Sequence, residues 1–422
     1  MLSKKNTISY TKLLISIFLY LTLILGFFLN EDSLGGAVHD YNYNLPIIYA
    51  FQRNILDALK IFGSDEMIAR NSPLFYMTFG AISNFFGNID INKLRLANTH
   101  VIIIIIIFFY KSLKIKYYYI KKEILYLISA TLFLSPTLRS LSIWPYPLIY
   151  AILFFTISVY FFLKFEKKKN NNYTYALLNI LFLALSSYFT PNFCIFSIFF
   201  FLRFFQKYKF TIKIYVIILL NFILAIPAIL FLLKKNLYFF YYDVGDISLL
   251  EKINITNKII LISTIFFFHL LPFLLIIFKK FYISKKKFIS IIIFYFICLI
   301  FFNFPKEYNG GGGIIFHMSN FLTKSNLLIF IIFFISLMYI SQIIQKSFWN
   351  YLLVILLIPY NLQFSIYHKY FDPLILIIFL LLTEKIINKE YFKNKNILYL
   401  YIFQFFFLIL SLSKYYIYNL KI

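Results

Sequence analysis

LLISIFLYLTLILGFFLN (residues 13–30) runs directly into EDSLGGAVHDYNYNLPIIYAFQRN (residues 31–54), and this junction decides how the chain is read. The first stretch suits a helix that crosses a bilayer, which takes about 20 mostly apolar residues. The second places two adjacent acids, a glycine pair, a histidine and a third acid beside the membrane surface. An amphipathic helix of about four turns is expected to begin at Pro46 and to run over residues 47–62. After it comes Arg70-Asn71-Ser72-Pro73-Leu74-Phe75-Tyr76, where Pro73 suits the first turn of another short apolar helix ending near Gly87.

Outward from this junction the chain is almost entirely greasy. Hydrophobic residues make up 62% of the 422 and charged residues only 14%, more apolar surface than a soluble domain of this size can bury. Apolar runs fall at 11–29, 95–111, 123–138, 145–164, 174–190, 192–206, 212–233, 258–278, 288–304, 325–345, 348–366, 371–387 and 396–414. The expected architecture is all-α: one transmembrane domain over residues 1–422 with about 13 spanning helices. Residues 30–94 form its first external loop, with interfacial helices, and residues 95–414 hold the remaining spans. The many Phe, Tyr, Ile, Lys and Asn residues reflect compositional bias and are assigned no function.

The formal net charge is +25. The lysines responsible sit in connectors at 111–122, 164–169, 203–213, 279–287 and 385–395, where they set orientation and meet anionic lipid headgroups. Membrane lipids, not nucleic acid, are therefore the partners of this charge. With the N-terminus inside, all five connectors are cytoplasmic only if residues 73–87 lie along the outer surface without crossing. Of the sixteen acids, only Glu123, Glu166, Glu384 and Glu390 then fall inside. This pattern fits a bacterial inner (plasma) membrane protein. Cys194 and Cys298 both lie in apolar runs, so no disulfide framework is indicated. The first span has a basic flank but no small-residue cleavage site, and it is read as a retained anchor.

Chemistry is expected at the external polar clusters. Glu31, Asp32 and Asp40 are the candidate catalytic carboxylates, able to take a proton from an acceptor or to orient a divalent metal ion against a phosphate. His39 precedes Asp40 and is expected to help bind the substrate. The turn at residues 135–147 brings Arg139, which is costly near membrane depth without a partner and is read as a phosphate clamp, and Trp144, suited to stacking on a sugar. Late in the chain Tyr367, His368, Lys369 and Tyr370 form a third candidate cluster for a phosphate. The four glycines at 310–313 lack a following Gly-Lys-Ser/Thr and are read as a flexible external loop carrying His317. His100 and His269 are read as core positions.

Taken in order, these features resemble the GT-C class of membrane glycosyltransferases, which includes the protein O-mannosyltransferases and the lipid A aminoarabinose transferases. One span is followed by an acidic external loop. Asn71-Ser72-Pro73-Leu74-Phe75-Tyr76 is similar to that family's x-Pro-Pro-Leu-Tyr-Tyr segment, and Gly87 with Lys93-Leu94-Arg95-Leu96 is similar to its Gly…Arg-Leu approach to the second span. The likeness covers about the first 165 residues. It implies transfer of a sugar from a polyprenyl-phosphate donor to a glycan, lipid or protein acceptor on the outer face, with Asp40 in the place of the family's loop carboxylate. His39-Asp40 stands where the family has an Asp-Glu pair, and the turn after the third span offers Arg139 and Trp144 where the family often has an acid. A flippase or transporter for lipid-linked oligosaccharides would instead place paired charges at mid-span. An O-antigen-type polymerase would carry a large, basic late loop. Neither pattern is evident.

Overall fold

The computed structural model describes residues 10–64, 66–67, 71–86, 90–167, 173–234, 254–274, 276, 283–305, 311–361 and 365–419. Arg70, Gly87, Gly310 and parts of the lysine connectors lie outside these residues. Among the described residues the regular structure is helical, and the one β-bridge pairs Phe62 with Met67. Six helices are long and apolar enough to cross a membrane, seven if one bent pair counts as a single span, as expected for an integral membrane protein.

Two compact units divide the chain, Met1–Tyr242 with Gln404–Ile422, and Asp243–Phe403. In the first, α1 (Tyr10–Phe28) leads to α2 (Ala37–Arg53), α3 (Ile55–Ile61), α4 (Pro73–Phe85), α5 (Ile91–Thr99) and α6 (Val101–Lys116). Next come α7 (Lys122–Ala130), α8 (Pro136–Ile143), α9 (Pro147–Lys167), α10 (Tyr173–Phe189), α11 (Phe196–Tyr208) and α12 (Ile212–Lys234). Helix α9 is the centre of this unit: 72% of its apolar window is buried, against 11% for α12. In hydrocarbon there is little hydrophobic drive between helices, so polar contacts and close packing hold them together. Asn179 on α10 donates to the Ser158 carbonyl (2.9 Å) and hydroxyl (2.7 Å) on α9, and Ser186 donates to Ala151 O at 2.7 Å.

The first loop departs from its expected boundaries. The amphipathic helix begins at Ala37, not at Pro46, and Pro46 lies inside it. Asp32 explains the early start, because its Oδ2 accepts the Val38 backbone N–H at 3.2 Å. A carboxylate there satisfies one of the unpaired donors at a helix N-terminus. The helix stops at Arg53, and Asn54 starts a new one by accepting from Leu56 N (3.0 Å) and Asp57 N (3.2 Å). Asp40 therefore sits in a first helical turn. Helix α4 has 13 residues, too short at 1.5 Å per residue to cross a bilayer core. It lies against α2, where a Cβ on Gly80 would stand 2.6 Å from Phe51 O.

Between the segment Lys122–Leu134 and the helix starting at Pro136 the chain bends by 62°. The residue before a proline avoids helical geometry, and Ser135 uses its hydroxyl to accept Leu138 N at 3.1 Å and so restarts the helix as α8. Every residue of α8 is buried.

The second unit holds α13 (Ile255–Leu270), α14 (Lys285–Ile300), α15 (Gly313–Thr323), α16 (Leu327–Ile344), α17 (Phe348–Tyr360) and α18 (Leu374–Leu381), with the start of α19 (Asn394–Asn419). Helix α18 is eight residues long and buried on every face. Its apolar run reads as a span in the sequence, but here it is a short segment enclosed by protein.

Candidate functional site

Helix α1 ends in a reversal. Asn30 adopts a left-handed conformation (φ 53°), and Glu31 N returns to Gly26 O at 2.8 Å, which caps the helix. The same turn folds the Glu31 side chain back along α1 toward Gly26, where a Cβ would lie 2.3 Å from Glu31 Oε2. Only glycine leaves room for the carboxylate at that point.

Arg139 of α8 meets it there. Its Nε donates to Glu31 Oε1 at 2.7 Å and its Nη2 to Glu31 Oε2 at 2.5 Å, a two-pronged ion pair between residues 3% and 7% exposed. Nη2 also donates to Thr22 O (3.0 Å), and Nη1 to Thr22 Oγ1 (3.2 Å) and Phe133 O (3.4 Å). A guanidinium has five N–H donors, and all are engaged inside the chain. Arg139 does find the partner that its depth demands, but in this arrangement it has no N–H left for a phosphate.

Asp32 is equally committed. Its Oδ1 accepts from Leu34 N (3.2 Å), Gly35 N (3.0 Å) and Ser140 Oγ (2.9 Å), alongside the Val38 contact on Oδ2. Gly35 supplies the positive φ of 72° that this turn needs. Ser33 Oγ donates to Pro136 O at 2.7 Å, so three consecutive residues, Glu31 to Ser33, fasten the loop to α8. Trp144 completes the seam by donating from Nε1 to Glu31 O at 2.8 Å, and is itself buried.

Asp40 differs from these two acids in its exposure. It is half-buried while Glu31 and Asp32 are buried, and His39 beside it is exposed. Its position is fixed by Asn44, whose Nδ2 donates to the Asp40 carbonyl at 2.6 Å. Asn44 Oδ1 accepts in turn from the Tyr76 hydroxyl and from Asn71 Nδ2 (3.3 Å), which ties the first turn of α2 to the start of α4. The Asn71–Tyr76 segment noted in the sequence thus reaches Asp40 through Asn44.

Arg95, noted in the sequence only within the Lys93-Leu94-Arg95-Leu96 stretch, was not among the candidate site residues. In α5, its guanidinium lies 3.8 Å from the centre of a Trp144 ring, 5.1 Å from that of Phe27 and 5.9 Å from that of Tyr41. Its Nε donates to Ile143 O and its Nη2 to Asn30 Oδ1, both at 3.2 Å. Tyr41 follows Asp40 directly, and burial pushes its phenol up to about 12 although the Arg95 charge pulls the other way. In sequence Arg95 looks like an interfacial cation at the start of a span. The aromatic residues around it come from three distant segments.

The late cluster belongs to the second unit. The Lys369 ammonium lies 5.4 Å and 5.9 Å from the ring centres of Tyr367 and Tyr370. His368 lies 4.7 Å, ring to ring, from buried His269, a pairing with no local signature because the two residues are far apart in the chain. A groove of about 430 Å³ in this unit, lined by Lys287, Ser290, Gln345 and Tyr351 among others, contains none of the expected site residues. Among the described residues no three His, Cys, Asp or Glu side chains converge as a metal cage. Glu31 and Asp32 are turned to other partners, so the residues present do not form a resident metal site. No protein-family model, curated protein or solved structure matches the chain.

Proposed function

We propose that this membrane protein is a glycosyltransferase of the GT-C kind, moving a sugar from a polyprenyl-phosphate donor to a glycan, lipid or protein acceptor. The supporting observation is the division of labour among the first-loop acids. Glu31 and Asp32 lock the loop to α8, while Asp40 remains half-buried at the start of an amphipathic helix that is itself held in place. On this reading Asp40 is the base. It accepts the proton of an acceptor hydroxyl as that oxygen attacks the sugar's anomeric carbon, and the bond to the phosphate breaks to release polyprenyl phosphate. A positioned general base contributes roughly 10²–10⁴-fold.

The reading carries a topology with it: about 13 spans, N-terminus in the cytoplasm, the 30–94 loop on the outer face of a bacterial plasma membrane. The apolar runs of the sequence and the lysine-dense connectors between them support it. The test is transfer of labelled sugar from polyprenyl-phosphate donors by protein reconstituted in liposomes. Asp40→Asn should lower transfer by about 10²-fold or more with insertion intact. An Asp40→Asn variant with full activity removes the assignment.

A further inference from the structure

Among the described residues of the first unit two arginines are buried, and they differ in one respect. Arg139 is paired with Glu31, whereas Arg95, 8% exposed, makes no ion pair with a carboxylate of the described residues. Its two hydrogen bonds use two of its five N–H groups. The Trp144, Phe27 and Tyr41 rings hold the guanidinium by cation–π contact, which fixes its plane without neutralising its charge. The Tyr41 hydroxyl is buried beside it and has no hydrogen-bond partner among the described residues. A lone buried cation and a lone buried hydroxyl are both costly, and such groups call for a ligand that accepts from both. Asn30, which accepts from the guanidinium, is itself exposed.

We infer that Arg95 and Tyr41 form a phosphate-binding subsite that holds the phosphate ester of a lipid substrate next to Asp40. The inference rests on the glycosyltransferase reading for the identity of that lipid, and it supplies the anion contact that Arg139 cannot. The guanidinium presents its remaining N–H groups to phosphate oxygens, and the phenol donates one more hydrogen bond. Chain connectivity places the subsite one residue from the proposed base, since Tyr41 follows Asp40.

The protein reports on this site itself. Trp144 and Trp349 are its two tryptophans, so Trp349→Phe leaves Trp144, stacked on Arg95, as the sole indole. The full chain with Trp349→Phe, in nanodiscs of zwitterionic lipid, is titrated separately with polyprenyl phosphate, phosphatidylglycerol and inorganic phosphate. Polyprenyl phosphate should change Trp144 fluorescence saturably. Arg95→Gln should weaken that binding at least about tenfold, the loss of a charge-assisted contact. Tyr41→Phe, which keeps the ring, should weaken it roughly fivefold, the worth of one hydrogen bond. If Arg95→Gln does not fold, the Tyr41→Phe result decides. An equal response to phosphatidylglycerol or to inorganic phosphate upholds the subsite but makes a headgroup or the free anion its occupant. No saturable response to any of the three, or one that Tyr41→Phe leaves unchanged, overturns it. Binding is read without turnover, so its failure is distinct from a failure of Asp40 in transfer.

Discussion

Arg139 and Glu31, 108 residues apart, meet in a buried two-pronged ion pair that closes the loop after α1 onto the bent helix pair α7–α8. Removing one partner leaves an uncompensated charge, which costs about 3–5 kcal/mol. Glu31→Gln and Arg139→Gln should each lower stability by that order, and the double variant should lose less than the sum. A double-mutant cycle in detergent unfolding measures this. Strict additivity would mean that the two side chains act independently.

Gly26→Ala tests the same seam from the α1 side. The added methyl would lie 2.3 Å from Glu31 Oε2 and 3.1 Å from Arg139 Nη2, so the pair must move apart. Overpacking of this kind costs about 1–3 kcal/mol. The penalty should shrink when Glu31 is already Ala, a comparison that thermal unfolding of the two single variants and the double variant provides.

Asp32→Asn should loosen the start of α2 without disturbing the spans. It weakens hydrogen bonds to Leu34, Gly35, Val38 and Ser140 at a helix N-terminus, a change of about 1.5–3 kcal/mol for bonds to a charged acceptor. Amide exchange at Val38 and the following turn should speed up, with α9 and α10 unchanged. Unaltered exchange at Val38 would show that the turn does not depend on this carboxylate.

Tyr41 gives a pH signature. Its folded pKa of about 12 lies above the ordinary tyrosine value of 10, so the folded state holds the proton more tightly than the unfolded chain. The associated stability is complete below pH 10 and falls as the pH rises toward about 12. Tyr41→Phe should flatten that part of the stability–pH curve. An unchanged alkaline slope would mean that the phenol is not buried.

That the chain is an all-helical membrane protein was legible in the sequence because apolar length follows directly from the bilayer, whereas six or seven helices among the described residues are long and apolar enough to cross, against the 13 apolar runs. The details that failed depend on distant partners. Pro46 looks like a helix start until Asp32 caps the helix nine residues ahead of it, at Ala37. Residues 374–381 are apolar enough for lipid but are surrounded by protein. The cost of Arg139 in an apolar setting showed that it needed a partner, yet nothing local named Glu31. Arg95 stood out only as part of an Arg-Leu step, and nothing local announced its aromatic surroundings, which are built from α1, α2 and the turn at Trp144.

The most direct measurement is sugar transfer by purified, reconstituted protein offered a panel of polyprenyl-phosphate sugars, with Asp40→Asn and Glu31→Asp in parallel. The account predicts turnover with at least one donor, loss of nearly all of it in Asp40→Asn, and partial retention in Glu31→Asp, which keeps the charge that Arg139 requires. Turnover that survives in Asp40→Asn but vanishes in Glu31→Asp would contradict it.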